Sequence, residues 1–394
     1  MQTVVVGGRL QGLEAVYLAK KAGWQVKLID KSISIPALNL ADSFYCFDAE
    51  DHDKLIPALK GADLIIPALE NRRVLQSLVA CADKLGIPCA FDLSAYDISS
   101  SKKTSDLLFA ELGVPAPPHY PGCRYPLIAK PSGSSGSEGV VHLKDESELE
   151  VFKKSINYET GSFIIQEYIS GPSYSIEVIG CRGRYLPLQV TDLEMDGSYD
   201  CKRVTAPSVL TESQREHFAA IAVQIARSIN LNGIMDVEVI LNDNQLYVLE
   251  IDARLPSQTP TAVYHSSGIN LLELTGLSFT GATLPEQIEI KEERFAIFEH
   301  LLVARERVEV SGEHIVSTAG PLNHCEGFFG ADEALTNYSQ GKENWMATLI
   351  ITGETRREAY QKRSGVIEQI CRESGAISCD DPVPPPSHGA SPEK

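Results

Sequence analysis

The chain has 394 residues, 43% of them hydrophobic and 22% charged, and a formal net charge of −18. That length predicts two or three domains rather than one core. Acidity on this scale argues against general binding to nucleic acid or to a membrane surface, and no apolar run reaches the roughly 18 residues of a membrane span.

The N-terminus, MQTVVVGG, lacks a signal-peptide flank and is expected to begin the fold at once. TVVVGG reads as a buried strand, Leu10 to Ala22 as an amphipathic helix and Val26 to Asp30 as a second strand. Ala62 to Ala68 reads as another strand, Asn71 to Leu85 as a helix and Pro88 to Leu93 as a further strand. Strand–helix alternation with short turns predicts a parallel sheet. A polar run near Ser99 to Ser101 closes this α/β domain, residues 1–99. Lys102 to Leu112 opens the next unit as a helix. It is followed by the strand PLIAK, the loop PSGSSGSEG, the strand VVHL, a helix near Asp145 to Ser155, and the strands FIIQEYI and YSIEVIG. This predicts a compact α+β domain over 100–182. From residue 183 to 379 the pattern is mostly antiparallel strand with one long helix, Glu212 to Ile229. Residues 380–394 are Pro-rich and poor in apolar side chains, and predict a disordered tail. Nine scattered cysteines, with no C-x-x-C pair, predict reduced cytoplasmic thiols rather than a zinc site or a disulfide framework.

Four segments carry candidate chemistry. Gly7, Gly8 and Gly12 lie at a strand-to-helix turn with Asp30 ending the next strand, which suggests a dinucleotide site and an NAD-dependent oxidoreductase. Arg9, however, takes the place of the glycine that lets a pyrophosphate approach the backbone. Lys130 ends a strand and enters a loop of small residues whose amides could wrap anionic oxygens. Gln166, Glu167 and Ile169 lie where a strand leaves for a turn at Ser170-Gly171-Pro172, a place suited to an adenine edge. In GIMDVEVILNDNQLYVLEIDAR, the turn at 242–245 brings Glu238 alongside Glu250, and Asp252 joins them on one face. Three carboxylates at close range suit Mg²⁺, which binds a few acids plus substrate phosphates. Without a cation they would repel until one took a proton.

In this order the segments resemble the ATP-grasp superfamily of carboxylate–amine ligases. The resemblance implies a mixed α/β and α+β fold, in which a Rossmann-like N-terminal domain precedes two α+β subdomains that sandwich ATP. It also implies that Lys102 (or its neighbour Lys103), Lys130 and Ser137 contact ATP together with Gln166, Glu167 and Ile169. Glu238, Glu250 and Asp252 would hold two Mg²⁺ ions, and Arg254 would stabilise charge on the transferred phosphoryl group. Many members carry a ribose-binding Glu where Ser173 stands. GGRLQGLEAVYLAKKAG, DSFYCFD, GIMDVEVI, EIDARLPSQTPTAVYHSSGIN and IFEHL are similar to a narrower group, the ligases of pyrrolysine biosynthesis. That similarity implies a D-ornithine-type amino acid and L-lysine as small-molecule substrates. Glu177 and Asp236 would meet the first substrate's amines, and Ser175, Ser257 and Thr259 its polar ends. Leu10, Gln11 and Glu70 would meet lysine. The motifs leave open a D-amino-acid or dipeptide ligase, and a homodimer.

Overall fold

The computed structural model describes residues 1–133, 139–156, 163–286, 288 and 293–384. The N-terminal sheet has four parallel strands in the order Ser43–Cys46, Gln25–Asp30, Gln2–Val6, Leu64–Pro67. Its first connection is the helix Leu10–Lys21, and its later ones are His52–Leu59 and Arg72–Leu85. Asn71 caps the last of these by accepting from Arg73 and Val74, and Gly86 ends it in the left-handed region. Pro88 to Leu93 makes only a single bridge, Ile65 to Cys89, rather than a full strand.

The glycines after the first strand have a packing reason. Gly7 has φ +100°, and a Cβ there would overlap the Ala68 carbonyl. One on Gly12 would overlap the Gly7 carbonyl. The Asp30 carboxylate accepts from the Gly8 amide at 2.9 Å. These residues therefore knit the turn to the sheet, which accounts for the glycine pattern without a dinucleotide.

The second unit is a three-stranded antiparallel sheet, Val141–Leu143, Leu127–Pro131, Phe163–Glu167, under the helix Glu146–Ser155. Leu127, Ala129, Leu143, Leu149, Phe152 and Ile165 form its own small core. The third unit is a twelve-stranded sheet that begins earlier than the sequence suggests. Ser173–Cys181 pairs with Gly233–Asn242, so the small unit ends at Glu167 and not at 182. A turn at 168–172 reads like any other in sequence; the register shows that the strand beyond it has changed sheets. The large sheet also absorbs the C-terminal strands Phe295–Ala304, Asn344–Gly353, Glu333–Thr336 and Asn323–Glu326.

One core cluster joins Val16 and Leu18 of the first helix to Ile234 of the large sheet and to Val263 and Leu271 of the helices packed on it. The N-terminal domain and the large sheet thus share buried apolar surface, while the three-stranded unit stands on its own core. The tail also begins later than expected. Asp380 ends a strand and pairs with Arg307 at 2.7 Å, and Asp381 pairs with Lys202 and Arg203, both at 2.5 Å. Two buried cations hold this stretch to the sheet, a contact its composition does not reveal. Among the described residues, no helix is long and apolar enough to cross a membrane.

Candidate active site

The site is built on the hairpin Gly233–Asn242 and Gln245–Asp252. Period-two alternation turns Met235, Val237 and Val239 into the core and Asp236 and Glu238 to the opposite face. On the partner strand Leu246 and Val248 face the core, so unbroken alternation would send Glu250 there as well. A β-bulge prevents this. Glu238 pairs with Glu250 but Val239 pairs with Val248, leaving Leu249 as the extra residue. Beyond it Ile251 and Ala253 face the core, and Glu250 and Asp252 join the acidic face. Lys130 Nζ donates to the Leu249 carbonyl at 3.2 Å, so the bulge fixes a lysine as well as two acids.

Strand register extends the acidic face sideways. Glu177, Asp236 and Asp252 lie in one row across three strands, and Ser175, Glu238 and Glu250 in the next. Lys102 Nζ is 2.7 Å from Glu250 Oε2. Arg254 Nη2 lies 3.0 Å from Asp252 and 2.9 Å from Glu70, which also accepts from Gln11 at 2.9 Å. Leu10, next to Gln11, starts the first helix and is half-buried. Ser175 donates a short hydrogen bond to buried Asp236. A polar cavity of about 90 Å³ opens among Asp236, Glu238, Glu250, Asp252, Arg254, Ser257 and Thr259.

The electrostatics follow from burial and crowding. Burial pushes Asp236 up to about 7, Asp252 up to about 6 and Glu177 up to about 8, and neighbouring carboxylates add to this. Burial and then Glu250 push Glu238 well up. Burial also acts on Glu250, but Lys102 and Lys130 outweigh it and hold its carboxyl below the usual range. Burial lowers Lys130, opposed by Glu250 and Asp106. Among the described residues, both Glu177 oxygens, Arg254 Nε and Thr259 Oγ1 are buried without hydrogen-bond partners. Such orphaned groups are costly unless a ligand meets them. Hard carboxylate oxygens facing one cavity, with cations beside them, fit Mg²⁺ and a polyphosphate.

Other sequence candidates lie elsewhere. Lys103 is exposed, so of the two adjacent lysines it is Lys102 that turns to the acids. The Gln166 side chain donates to Asp106 at 3.0 Å, tying the small sheet to the helix Lys102–Leu112. Glu167 accepts from the Arg124 amide, and Ile169 is half-buried in the turn between the two sheets. Ser137 lies outside the described residues. The sequence reading missed Glu14, Asp200, Gln258 and Glu313. Glu14 accepts from the Thr261 amide at 2.6 Å, and Asp200, Gln258 and Glu313 line the cavity. Only Glu14 had a signal, its place one helical turn from Leu10 and Gln11.

A family model described as an ATP-grasp domain matches residues 100–258. The 3-methyl-D-ornithine–L-lysine ligase of Methanosarcina mazei is 37% identical over 95% of this chain and 96% of its own length. That of Methanosarcina barkeri is 35% identical over 96% and 100%. Among solved structures, a Campylobacter jejuni biotin carboxylase complex superposes with a TM-score of 0.73 at 19% identity, covering 93% of this chain and 91% of its own. An ADP complex of N5-carboxyaminoimidazole ribonucleotide synthetase gives 0.69 at 15%, covering 94% and 97%. At such identities the structural matches speak for fold alone. ATP-grasp enzymes use ATP and Mg²⁺, which agrees with the donor set on this hairpin. The chain belongs to the ATP-grasp ligases, in the family of the 3-methyl-D-ornithine–L-lysine ligases.

Proposed function

We propose that the chain activates the carboxylate of 3-methyl-D-ornithine, or D-ornithine, as an acyl phosphate and joins it to the ε-amine of L-lysine. Product formation would release ADP and phosphate and leave an amide-linked intermediate of pyrrolysine biosynthesis. One observation supports this most: three half-buried acids, Glu238, Glu250 and Asp252, share one face, with Glu250 paired to Lys102 and Asp252 to Arg254, beside a cavity lined by further carboxylates.

When bound, ATP supplies the phosphoryl group and magnesium offsets its negative charge. We assign Lys102 and Lys130 to the phosphates, and Glu238, Glu250 and Asp252 to two magnesium ions. Arg254 stabilises negative charge gathering on the reacting carboxyl group, in a setting where burial strengthens each interaction. Glu177 and Asp236, raised to about 8 and 7, hold protons while the pocket is empty. An arriving ammonium favours their charged forms. Ser175, Ser257 and Thr259 orient the same substrate. Lysine lies by Leu10, Gln11 and Glu70. Its attacking amine must be neutral, whereas a free lysine amine has a pKa of about 10.4. We assign the proton's removal to Glu70, the carboxylate hydrogen-bonded to Gln11 at the place assigned to lysine. The unpaired cysteines favour a cytoplasmic setting.

The test is mass spectrometry of products from ATP, Mg²⁺, D-ornithine and L-lysine, with ADP release followed in parallel. A new mass equal to the two amino acids less one water is expected, with ADP release that depends on D-ornithine. ADP release indifferent to any amino acid, with no amide product, would refute the reading.

A further inference from the structure

The segment after 294 is not covered by the ATP-grasp domain match, yet it reaches the cavity through one side chain, Glu313. Glu313 Oε2 accepts from Ser257 Oγ at 2.6 Å and from Gln258 Nε2 at 2.8 Å. The backbone between those two donors is unusual. Gln258 has φ +71° and ψ −59°, and the Thr259 amide donates to the Ser257 carbonyl at 2.8 Å. This is a γ-turn of the rare positive-φ form, which a non-glycine residue adopts only under strain. A strained turn persists when its surroundings over-determine it. Here the surroundings are Glu313, which grips the turn by two side chains at once.

Glu313 is itself gripped. The Gly312 amide donates to Asp196 Oδ2 at 3.0 Å, and the His314 amide to Asp200 Oδ2 at 3.0 Å. The two amides flanking Glu313 are therefore held by two buried aspartates from the loop 196–200. A Cβ on Gly312 would overlap the Asp200 carboxylate, so the approach requires glycine. Asp196, Asp200 and His314 together have the spacing of a metal site. However, Asp196 Oδ1 also accepts from the Ser198 and Asp200 amides, and the His314 ring bonds Asp200. Backbone donors thus already use these carboxylates, which act as a clamp.

We infer that Glu313 is a positioning residue: clamped by Asp196 and Asp200, it holds the Ser257–Gln258–Thr259 turn in its strained form and thereby sets the affinity for the amino acid to be activated. The inference rests on the ligase reading, in which Ser257 and Thr259 touch that substrate.

Steady-state kinetics on the full chain test it, with D-ornithine as the varied substrate and saturating ATP, Mg²⁺ and L-lysine. Glu313→Ala removes both acceptors and should raise KM for D-ornithine by about tenfold or more. KM for ATP should stay within about twofold, because the hairpin and lysines are untouched. Glu313→Gln keeps an oxygen able to accept both bonds while removing the charge, and should restore KM to within about threefold. If Glu313→Ala does not fold, Glu313→Asp supplies the test, since its shorter reach loses one or both bonds and must raise KM likewise. An unchanged KM in these shortened variants would overturn the inference. So would a Gln variant as impaired as Ala, which would make the charge itself a substrate contact. If the unaltered chain forms no amide, the functional reading fails. If it does and KM ignores Glu313, only the positioning role fails.

Discussion

On the proposed metal assignment, the acidic face makes stability depend on pH and magnesium together. Asp236 rises from 3.8 to about 7, Glu177 from 4.5 to about 8 and Asp252 from 3.8 to about 6, each chiefly because burial disfavours the charged form. The metal-free fold therefore holds protons that the unfolded chain releases near pH 4. For groups raised in this way, the stabilisation is complete below the unfolded value and is lost as pH climbs through the folded one. A tenfold change in proton affinity between the two states corresponds to about 1.4 kcal/mol. The groups share protons, so their contributions do not add, and the loss between about pH 5 and pH 8 is on the order of a few kcal/mol. Burial also raises Glu14 to about 7, which adds to the loss, whereas it lowers His265 to about 4 and His300 to about 3, which offsets part of the loss up to about pH 6.5; Glu333, held down to about 2 by Lys21 and Tyr17 against the effect of burial, works in the other direction below this window. Magnesium replaces the protons, and a ligand at a hundred times its Kd adds about 2.7 kcal/mol. Thermal melts at about pH 5 and pH 8, with EDTA or Mg²⁺, check this. The EDTA-treated protein should melt lower at pH 8, and magnesium should stabilise it more there than at pH 5. A melting temperature that rises from pH 5 to 8 in EDTA, or a magnesium effect equal at both, would refute the argument.

Glu250→Gln should fold normally and lose magnesium-dependent ADP formation by about 10²–10³-fold, the cost of removing a site charge; turnover near the unaltered rate would remove the metal assignment. Lys102→Ala should depress ADP formation strongly while Lys103→Ala leaves it within about twofold, because only Lys102 pairs with Glu250; equal effects in a coupled ADP assay would contradict that asymmetry. Ending the chain after Asp380 strips Lys202, 1% exposed, of Asp381 and the Pro382 carbonyl. Denaturant titration should show a loss of up to about 3–5 kcal/mol, whereas ending it after residue 384 should cost little. Deleting Leu249 removes the bulge but leaves Glu250 directly after the core residue Val248, still opposite Glu238 on the acidic face, so the variant should accumulate as folded protein, judged by circular dichroism and protease resistance, while losing the carbonyl that accepts from Lys130.

What can be read from the sequence follows the range of the interactions involved. The helix Glu212–Ser228 carries its own capping box at Thr211 and Gln214, and Lys102–Leu112 is bounded by Ser101 and Gly113; such signals lie within a few residues and are legible. His52–Leu59 is hidden in the sequence because Pro57 sits inside it. The strand Ser173–Cys181 reads as part of the wrong sheet because its partner is some sixty residues away, Asp236 against Glu177. The acidic hairpin is the instructive case. Simple counting through the turn pairs Asn242 with Gln245 and would set Glu238 opposite Leu249, since each step back on one strand is a step forward on the other. Glu238 meets Glu250 only because Leu249 is extra. The sequence does contain the trace: core positions Leu246 and Val248 are even, whereas Ile251 and Ala253 are odd, so the apolar alternation changes parity between 248 and 251. A break in alternation that leaves two acids and an arginine on one face is thus itself a functional signal. Glu313 left no such trace. It reaches the site through Gly312 and His314, held by aspartates more than a hundred residues earlier in the chain, and only the folded chain brings those partners together.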